Sequence, residues 1–199
     1  MNMYSKIAVL IVLLTLLLSG CSENPFNPQT IDVDVATTNY DFSTKNSVID
    51  NLVSAYEQLN VDLFKQCLAE DFRFELIAQD ADEIGIDMDG DGIKDSWWGY
   101  QDEVRYHENL FENGSSDNTF PPPDQITLEI PVDQIEWKTD SEYEEEGYVY
   151  KDVRFSLLLQ YSGGQTFNSN GYVRFYLKNE GTDEEPWWSI IIWRDSSWL

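Results

Sequence analysis

The chain has 199 residues, of which 12 are Lys or Arg and 37 are Asp or Glu, so its formal net charge is −25. Apolar residues make up 42% and aromatic residues 14% of the sequence, which is enough for a buried core and excludes a disordered acidic chain. A surface this acidic repels phosphate backbones, so it argues against nucleic-acid binding, and it favours divalent cations as partners.

Residues 1–20 have the features of a signal peptide. One positive charge, Lys6, precedes an apolar run of 12 residues, Ile7 to Leu18, which is short for a membrane-spanning helix. The run ends in Leu18-Ser19-Gly20-Cys21, which resembles a bacterial lipoprotein lipobox. The resemblance implies that the chain is cleaved before Cys21 and that the Cys21 thiol is diacylated, which would anchor the protein to a membrane of the bacterial cell envelope.

Residues 21–43 are predicted to be a lipidated tether. The segment from Asn24 to Gln29 contains two prolines and is rich in turn-forming residues, which favours an extended chain. If Cys21 is lipidated, Cys67 has no disulfide partner in the chain. We therefore expect Cys67 to be a small buried side chain on a helix, and the alternative is a reactive thiol.

The folded domain is predicted to cover residues 44–199 and to begin with helices. Ser47 and Asp50 have the spacing of a capping box, and apolar residues then recur at helical intervals. Asn60 is predicted to cap a second helix that reaches about residue 70. A third helix is predicted from Tyr100 to Glu112.

Alternating apolar residues predict the strands. Pro131 indicates an edge strand or a bulge, because proline cannot donate a ladder hydrogen bond. The last strand is apolar on both faces, which predicts a central position in the sheet. The predicted strands are Phe72–Leu76, Ile126–Val132, Val149–Tyr161, Tyr172–Lys178 and Trp187–Arg194.

This order of elements resembles the nuclear transport factor 2-like family, whose relatives include SnoaL-type cyclases and ketosteroid isomerase. The local similarity lies in Val53–Tyr56, Leu63-Phe64 and Leu68–Phe74, where a helical pair leads into a strand, and in Trp188–Trp193 at the end. The resemblance implies an α+β fold in which three helices pack on a strongly curved, mainly antiparallel sheet, the cystatin-like cone, with a pocket between them. It also implies that two copies can pair through the open sheet face. It implies no single activity, because this fold hosts enzymes, binders and scaffolds.

The stretch Asp87–Asp95 has carboxylates at relative positions 1, 3, 5 and 9 and a glycine at position 6. A hard cation such as Ca²⁺ takes about six to eight oxygen ligands from a tight turn of this kind. The alternative is an acidic, solvated loop. The pattern resembles the calcium loops of dockerins and thrombospondin type 3 repeats, which implies that Ca²⁺ is bound by Asp87, Asp89, Asp91, the backbone carbonyl of Ile93, and Asp95.

A helix-loop-helix calcium sensor is not expected. Trp98 occupies the twelfth position, where such a loop carries a bidentate Glu, and the segment before the loop is predicted to be a strand. The loop is therefore interpreted as an insertion at residues 80–96 that braces the connection between the first strand and the third helix. A missing ligand is expected from one of four neighbouring acids: Asp80, Asp82, Asp102 or Glu103.

Two residues are predicted to lie near a pocket. His107 is the only histidine, and it lies one helical turn from Val104 and from Phe111. It is therefore expected either to line the cone or to be a hydrogen-bonded core residue. Trp97, beside the acidic loop, is the candidate for an exposed binding platform.

No catalytic residue is identified from the sequence. An isomerase-like mechanism needs a carboxylate with a raised pKa inside an apolar pocket, together with a hydrogen-bond donor. Asp152 with Tyr150 or Tyr176 fits that requirement loosely.

The sequence thus predicts a lipid-anchored envelope protein whose calcium-stabilised cone is a non-catalytic binding or scaffold domain. The alternatives are a small-molecule isomerase, dehydratase or cyclase that uses the cone pocket, and a purely structural dimerising domain. An enzyme should have a partly polar pocket with a carboxylate or His107 at its base, a binder an exposed aromatic patch, and a dimer an apolar sheet face. The sequence does not identify the ligand.

Overall fold

The computed structural model describes residues 39–77, 80–81, 85, 87, 90–115, 119–133 and 135–195. The lipobox with Cys21, most of the tether and Asp89 of the acidic loop lie outside the described residues. One compact unit spans Tyr40–Leu199. Its elements in chain order are α1 (Lys45–Glu57), α2 (Val61–Cys67), β1 (Leu68–Glu75), β2 (Trp97–Gly99), α3 (Tyr100–Glu108) followed by a π-helical turn (Asn109–Asn113), β3 (Gln125–Glu129), β4 (Lys138–Thr139), a 3₁₀ turn (Ser141–Tyr143), β5 (Val149–Gln160), β6 (Thr166–Asn179) and β7 (Trp188–Asp195).

The first two helices begin at side-chain caps. The Thr44 hydroxyl accepts from the Ser47 N–H and the Ser47 hydroxyl accepts from the Thr44 N–H, which makes a reciprocal capping box. The prediction that Ser47 is itself the cap is therefore wrong, because this box satisfies two amide donors three residues earlier. Asn60 caps α2 as predicted, accepting from the Leu63 N–H at 2.9 Å. The helix ends at Cys67, since the chain from Leu68 onward pairs with β7.

The strands form one sheet in the order β2-β1-β7-β6-β5-β3, with β4 also paired to β5. Every pair is antiparallel except β1 with β7, which is parallel. The predicted α+β class, with three helices against a curved and mainly antiparallel sheet, is confirmed. β7 is central as predicted, with Ile190, Ile191 and Ile192 buried, and β3, which precedes Pro131, lies at the sheet edge.

Two parts of the sheet differ from the prediction. β6 begins at Thr166, six residues before the predicted Tyr172. Its polar first half pairs with residues 155–160 of β5. That half contains Asn168-Ser169-Asn170, so it has no alternating apolar pattern from which a strand could be predicted. The short strands β2 and β4, and the 3₁₀ turn after β4, were not predicted.

The hydrophobic core lies between the helices and the concave face of the sheet. It combines α1 and α2 residues such as Ile49 and Phe64 with sheet residues such as Phe175 and Ile190, all fully buried. Cys67 belongs to this core, as expected, and burial raises the pKa of its thiol. Among the described residues, no helix has both the length and the apolar character needed to cross a membrane.

The opposite face of the sheet carries rings and paired charges. Because side chains alternate along a strand, Tyr150 and Asp152 of β5 and Tyr176 of β6 point to this face and not into the cone. Asp152 accepts two hydrogen bonds from Arg174, at 2.6 and 3.0 Å. The proposed isomerase-like group of Asp152 with Tyr150 or Tyr176 is therefore wrong, since none of the three lines the cone cavity.

A candidate ligand cavity in the cone

A cavity of about 480 Å³ opens between the helices and the concave face of the sheet. Its walls come from α1, β1, β2, α3, the π-helical turn, β5 and β7. Most of its lining is apolar or aromatic, with few polar groups, which is the composition typical of small-molecule sites. The lining residues are Tyr56, Phe74, Trp98, Glu103, Tyr106, His107, Leu110, Leu157 and Trp193.

Strand register and helix periodicity place these side chains. Phe74 of β1 is paired with Trp98 of β2, so the two lie on the same face, and their rings stack with centroids 4.4 Å apart. Glu103 and His107 are four residues apart on α3 and therefore share one face of that helix. In the π-helical turn that follows, Leu110 lines the cavity while Phe111 is buried in the core.

His107 is held as a neutral imidazole. The Tyr56 hydroxyl lies 2.5 Å from His107 Nε2, and His107 Nδ1 lies 2.9 Å from the backbone carbonyl of Glu103. A carbonyl can only accept, so Nδ1 carries the proton and Nε2 accepts from Tyr56. The ring is stacked on Phe64 at 3.8 Å. Burial lowers the pKa of His107 to about 4, with the hydrogen bond to Glu103 opposing it.

Glu103 is a buried carboxyl whose basic neighbour, His107, is neutral. Glu103 is 3% exposed, and its Oε2 accepts a hydrogen bond from Trp98 Nε1 at 2.5 Å. Its other oxygen lies 3.5 Å from His107 Nδ1, which is neutral. Among the described residues that line the cavity, none is Lys or Arg. Burial raises the pKa of Glu103 to about 7, with the Trp98 bond opposing it, so the carboxyl changes protonation state near neutral pH.

The structure separates the two predicted pocket residues. His107 lies in the cavity lining, with both ring nitrogens engaged by protein groups. Trp97 is 43% exposed on β2 and does not line the cavity, whereas its neighbour Trp98 does. Glu103, predicted from the sequence only as a reserve calcium ligand, also lines the cavity. Its position one helical turn before His107 was the signal that could have placed it in the cavity.

The described part of the acidic loop forms a tight turn. Asp87 accepts from the Gly90 N–H at 2.7 Å and from the Gly92 N–H at 3.0 Å, and Asp91 accepts from the Ile93 N–H at 2.7 Å. Gly90 and Gly92 have φ values of +78° and +85°, which glycine adopts readily. Within the described residues, no group of three or more His, Cys, Asp or Glu converges on one metal position.

The reserve ligands proposed on α3 are engaged elsewhere. The Asp102 carboxylate lies 2.6 Å from Arg105, and the Glu103 carboxylate points into the cavity beside Trp98. Asp89 lies outside the described residues.

Comparison with known proteins identifies the fold. No protein-family model matches the chain, and no curated protein matches it. Among solved structures, a conserved protein from Planctomyces limnophilus is 9% identical with a TM-score of 0.51, over 75% of this chain and 90% of that one. Naphthalene 1,2-dioxygenase with indole bound in the active site is 9% identical with a TM-score of 0.51, over 76% of each chain. ActVI-ORFA from Streptomyces coelicolor is 10% identical with a TM-score of 0.48, over 76% of this chain and 92% of that one.

Identities this low show the fold alone. The element order, the sheet order and the concave cavity define an α+β cone, the fold that the sequence resemblance implied. What the chain does must therefore be argued from its own cavity.

Proposed function

We propose that this chain is a lipid-anchored protein of the bacterial cell envelope whose cone binds a small, mostly apolar molecule in the cavity around Glu103. The cavity itself supports the proposal most strongly. Its volume of about 480 Å³ lies inside the range of about 300–1,000 Å³ found for small-molecule sites. Its lining joins aromatic walls to one buried carboxyl, the combination of apolar surface and few polar groups that orients a ligand.

A neutral dye is expected to bind in this cavity. N-phenyl-1-naphthylamine fluoresces more strongly in apolar surroundings, so titrating it into the purified full chain reports binding. Leu157→Trp fills the cavity and should weaken dye binding by about tenfold or more, which corresponds to about 1.4 kcal/mol. Leu158→Trp is the matched control, because the next residue of β5 faces the opposite side of the sheet.

Circular dichroism and thermal melting establish that both variants are folded. Leu110→Trp blocks the cavity from the π-helical turn and covers the case in which Leu157→Trp does not fold. Because Leu110 also borders the groove beside Phe120, Phe167→Ala is measured with it. Dye binding that survives both cavity variants would contradict the proposal. If Phe167→Ala then abolished it, the dye site would be the neighbouring apolar groove of about 470 Å³ beside Phe120 and Phe167, which shares Leu110 with the cavity.

A proton-transfer enzyme, such as an isomerase or dehydratase, is the second candidate. The observation that favours it is Glu103, whose pKa of about 7 suits a group that takes up and releases a proton at neutral pH. Such chemistry requires a neutral substrate beside the carboxyl. This candidate can therefore be tested by comparing the affinities of a neutral molecule and a cation of the same shape. A proton-transfer enzyme should not prefer the cation.

The acidic loop is the proposed Ca²⁺ site, with Asp87, Asp89, Asp91, the Ile93 carbonyl and Asp95 as ligands. The supporting observation is the turn around Gly90 and Gly92, which already brings this segment into a compact loop. Calorimetry on the full chain should give a Kd of about 10⁻⁴–10⁻³ M for Ca²⁺, the range of extracellular modules. Asp91→Asn should remove the binding heat, and Asp183→Asn, in another exposed acidic turn, should leave it unchanged. The absence of any heat, or equal heats in both variants, would contradict the site.

Cys21 is the proposed lipid anchor. In a bacterial host, the wild-type chain is expected in the membrane fraction and the Cys21→Ala variant in the soluble fraction, because each buried acyl methylene contributes about 0.8 kcal/mol to membrane binding. Cys67→Ala is the matched control, since the Cys67 thiol is buried in the core and should have no effect on partitioning. A Cys21→Ala chain that stays in the membrane fraction would show that something other than lipidation retains it.

A further inference from the structure

The cavity presents a carboxyl, Glu103, and none of the described residues that line the cavity is a Lys or Arg that could pair with it. The charged and titratable groups that face Glu103 are Tyr56 from α1 and Tyr106 and His107 from α3 itself, and His107 is neutral above about pH 4. The lining residues from β1, β2, β5 and β7 are Phe74, Trp98, Leu157 and Trp193, none of which titrates. An ionised carboxylate at this depth is therefore uncompensated unless a ligand brings the positive charge.

The walls around this carboxyl are aromatic. Phe74, Trp98, Tyr106 and Trp193 are all half-buried and line the cavity. Trp98 meets Tyr106 edge to face at 5.6 Å, and Phe74 lies 5.9 Å from Trp193. Aromatic rings attract cations through their electron-rich faces, and enclosures of several rings are used to bind quaternary ammonium groups.

We infer that the cavity selects an organic ammonium ion with apolar substituents, its charge beside the Glu103 carboxylate and its substituents against the rings of Phe74, Trp98, Tyr106 and Trp193. The inference rests on the proposed small-molecule site and specifies the charge of its ligand. The apolar lining suits the substituents of such an ion, and Glu103 suits its nitrogen. A net charge of −25 also raises the local concentration of cations around the protein.

Binding of the cation should be linked to loss of a proton from Glu103. The free carboxyl is partly protonated near pH 7, because burial raises its pKa to about 7. A cation binds the ionised form, so its affinity should rise by about tenfold between pH 6 and pH 8. His107 and Tyr56 do not titrate in this interval, since burial moves the pKa of His107 down to about 4 and that of Tyr56 well up.

Two ligands of one shape test the inference on the full chain. Benzyltrimethylammonium and neopentylbenzene differ by a charged nitrogen in place of a carbon, and both can be measured by displacement of N-phenyl-1-naphthylamine. The cation should bind about tenfold or more tightly than its neutral isostere at pH 8. Glu103→Gln keeps the size of the side chain and an oxygen for Trp98 Nε1, and it should bring the two affinities within about twofold and remove the pH dependence of cation binding. Glu112→Gln, on an exposed residue, is the control and should behave like the wild type.

The outcomes separate this inference from the proposed function. Equal affinities for the two ligands in the wild type would overturn the cation preference and leave the proposed small-molecule site intact. This is also the result expected of a proton-transfer enzyme. A cation preference that persists in Glu103→Gln would overturn the role of this carboxylate. If neither the dye nor either ligand bound, both the cavity site and the inference would be wrong.

Discussion

The Glu103→Gln variant is expected to gain about 3 kcal/mol of stability relative to wild type as the pH rises from 4.5 to 8. Burial raises the pKa of Glu103 from 4.5 to about 7 in the folded state. The folded protein therefore holds this proton more tightly than the unfolded chain does. The stabilising contribution of the protonated carboxyl is fully present below pH 4.5 and is lost as the pH rises through about 7. Gln does not titrate, so the variant escapes this loss.

His107 acts in the opposite direction over nearly the same interval. Burial lowers its pKa from 6.5 to about 4, so its contribution to stability is fully present above pH 6.5 and is lost as the pH falls through about 4. Relative to wild type, a His107→Gln variant should gain about 3 kcal/mol on acidification across this window. Because the two effects oppose each other, the wild-type contribution of this pair should change little between pH 4.5 and 6.5.

Urea unfolding at a series of pH values measures both effects as differences from wild type, which removes the background of the other carboxylates. Glu112→Gln is the matched control because the residue is exposed, and its difference from wild type should stay within about 0.5 kcal/mol. Each variant also loses ordinary contacts, so the slope with pH is the informative quantity and the offset is not. Parallel profiles for wild type and Glu103→Gln would show that this carboxyl is not perturbed by burial.

Local sequence patterns predicted most of the fold. Asn60 before an apolar repeat marked the start of α2, and the doubly apolar run at Ile190–Ile192 placed β7 in the sheet centre. The errors arose where two local signals competed, as with Thr44 and Ser47, or where no apolar signal existed, as in the first half of β6. The choice between Thr44 and Ser47 is decided within a single turn, and the polar half of β6 is held by backbone pairing with β5, which needs no apolar side chain.

The cavity was only partly predictable because it depends on contacts between residues that are distant in the chain. Helical spacing correctly placed His107 on the face of α3 that includes Val104 and Phe111, and it would have placed Glu103 there as well. The hydrogen bond from Tyr56 to His107 joins residues 51 positions apart, so it cannot be predicted from the local spacing of residues. The raised pKa of Glu103 likewise depends on burial, which the fold creates. An acidic residue in a chain with 37 of them is easily taken for a solvated one.

Lys151 is another buried polar residue, and its burial could have been inferred from the alternation of side chains along its strand. It lies on β5 between Val149 and Val153, on the face that points into the core, and it is 1% exposed. Its Nζ donates to the Val132 carbonyl at 2.7 Å and to Asn46 Oδ1 at 3.1 Å. The same nitrogen lies 4.6 Å from the centroid of the Trp137 ring. This lysine therefore joins the start of α1, the segment after β3, and β5.

The surroundings of Lys151 form one connected network. Trp137 Nε1 donates to Asn46 Oδ1 at 2.8 Å, and Asn46 Nδ2 donates to Asp133 at 3.3 Å. Burial lowers the pKa of Lys151, while Asp133 and Asp50 act in the opposite direction at longer range. A buried amine of this kind is tolerated because a carbonyl, an amide oxygen and an aromatic ring all face it.

Truncating Lys151 should destabilise the protein more than most single substitutions. Lys151→Met keeps most of the stem but leaves the Val132 carbonyl with only the long hydrogen bond from the Ile135 N–H at 3.5 Å, and we expect a loss of about 1–3 kcal/mol in the free energy of unfolding. Lys151→Ala also removes the buried methylenes, which should bring the loss to about 4 kcal/mol. That is a large share of the roughly 5–15 kcal/mol that stabilises a typical domain.

Urea unfolding of the three proteins measures these losses, and Lys138→Met on the exposed strand β4 is the matched control, with an expected change within about 0.5 kcal/mol. A double-mutant cycle of Lys151→Met with Asn46→Ala then tests whether the residues act together, and the coupling should be about 0.5–3 kcal/mol. A Lys151→Ala variant within about 1 kcal/mol of wild type would mean that water replaces the lost donor. A large loss with no coupling to Asn46 would instead assign the stabilisation to the Val132 carbonyl and the Trp137 ring, because these are the contacts that Asn46→Ala leaves in place.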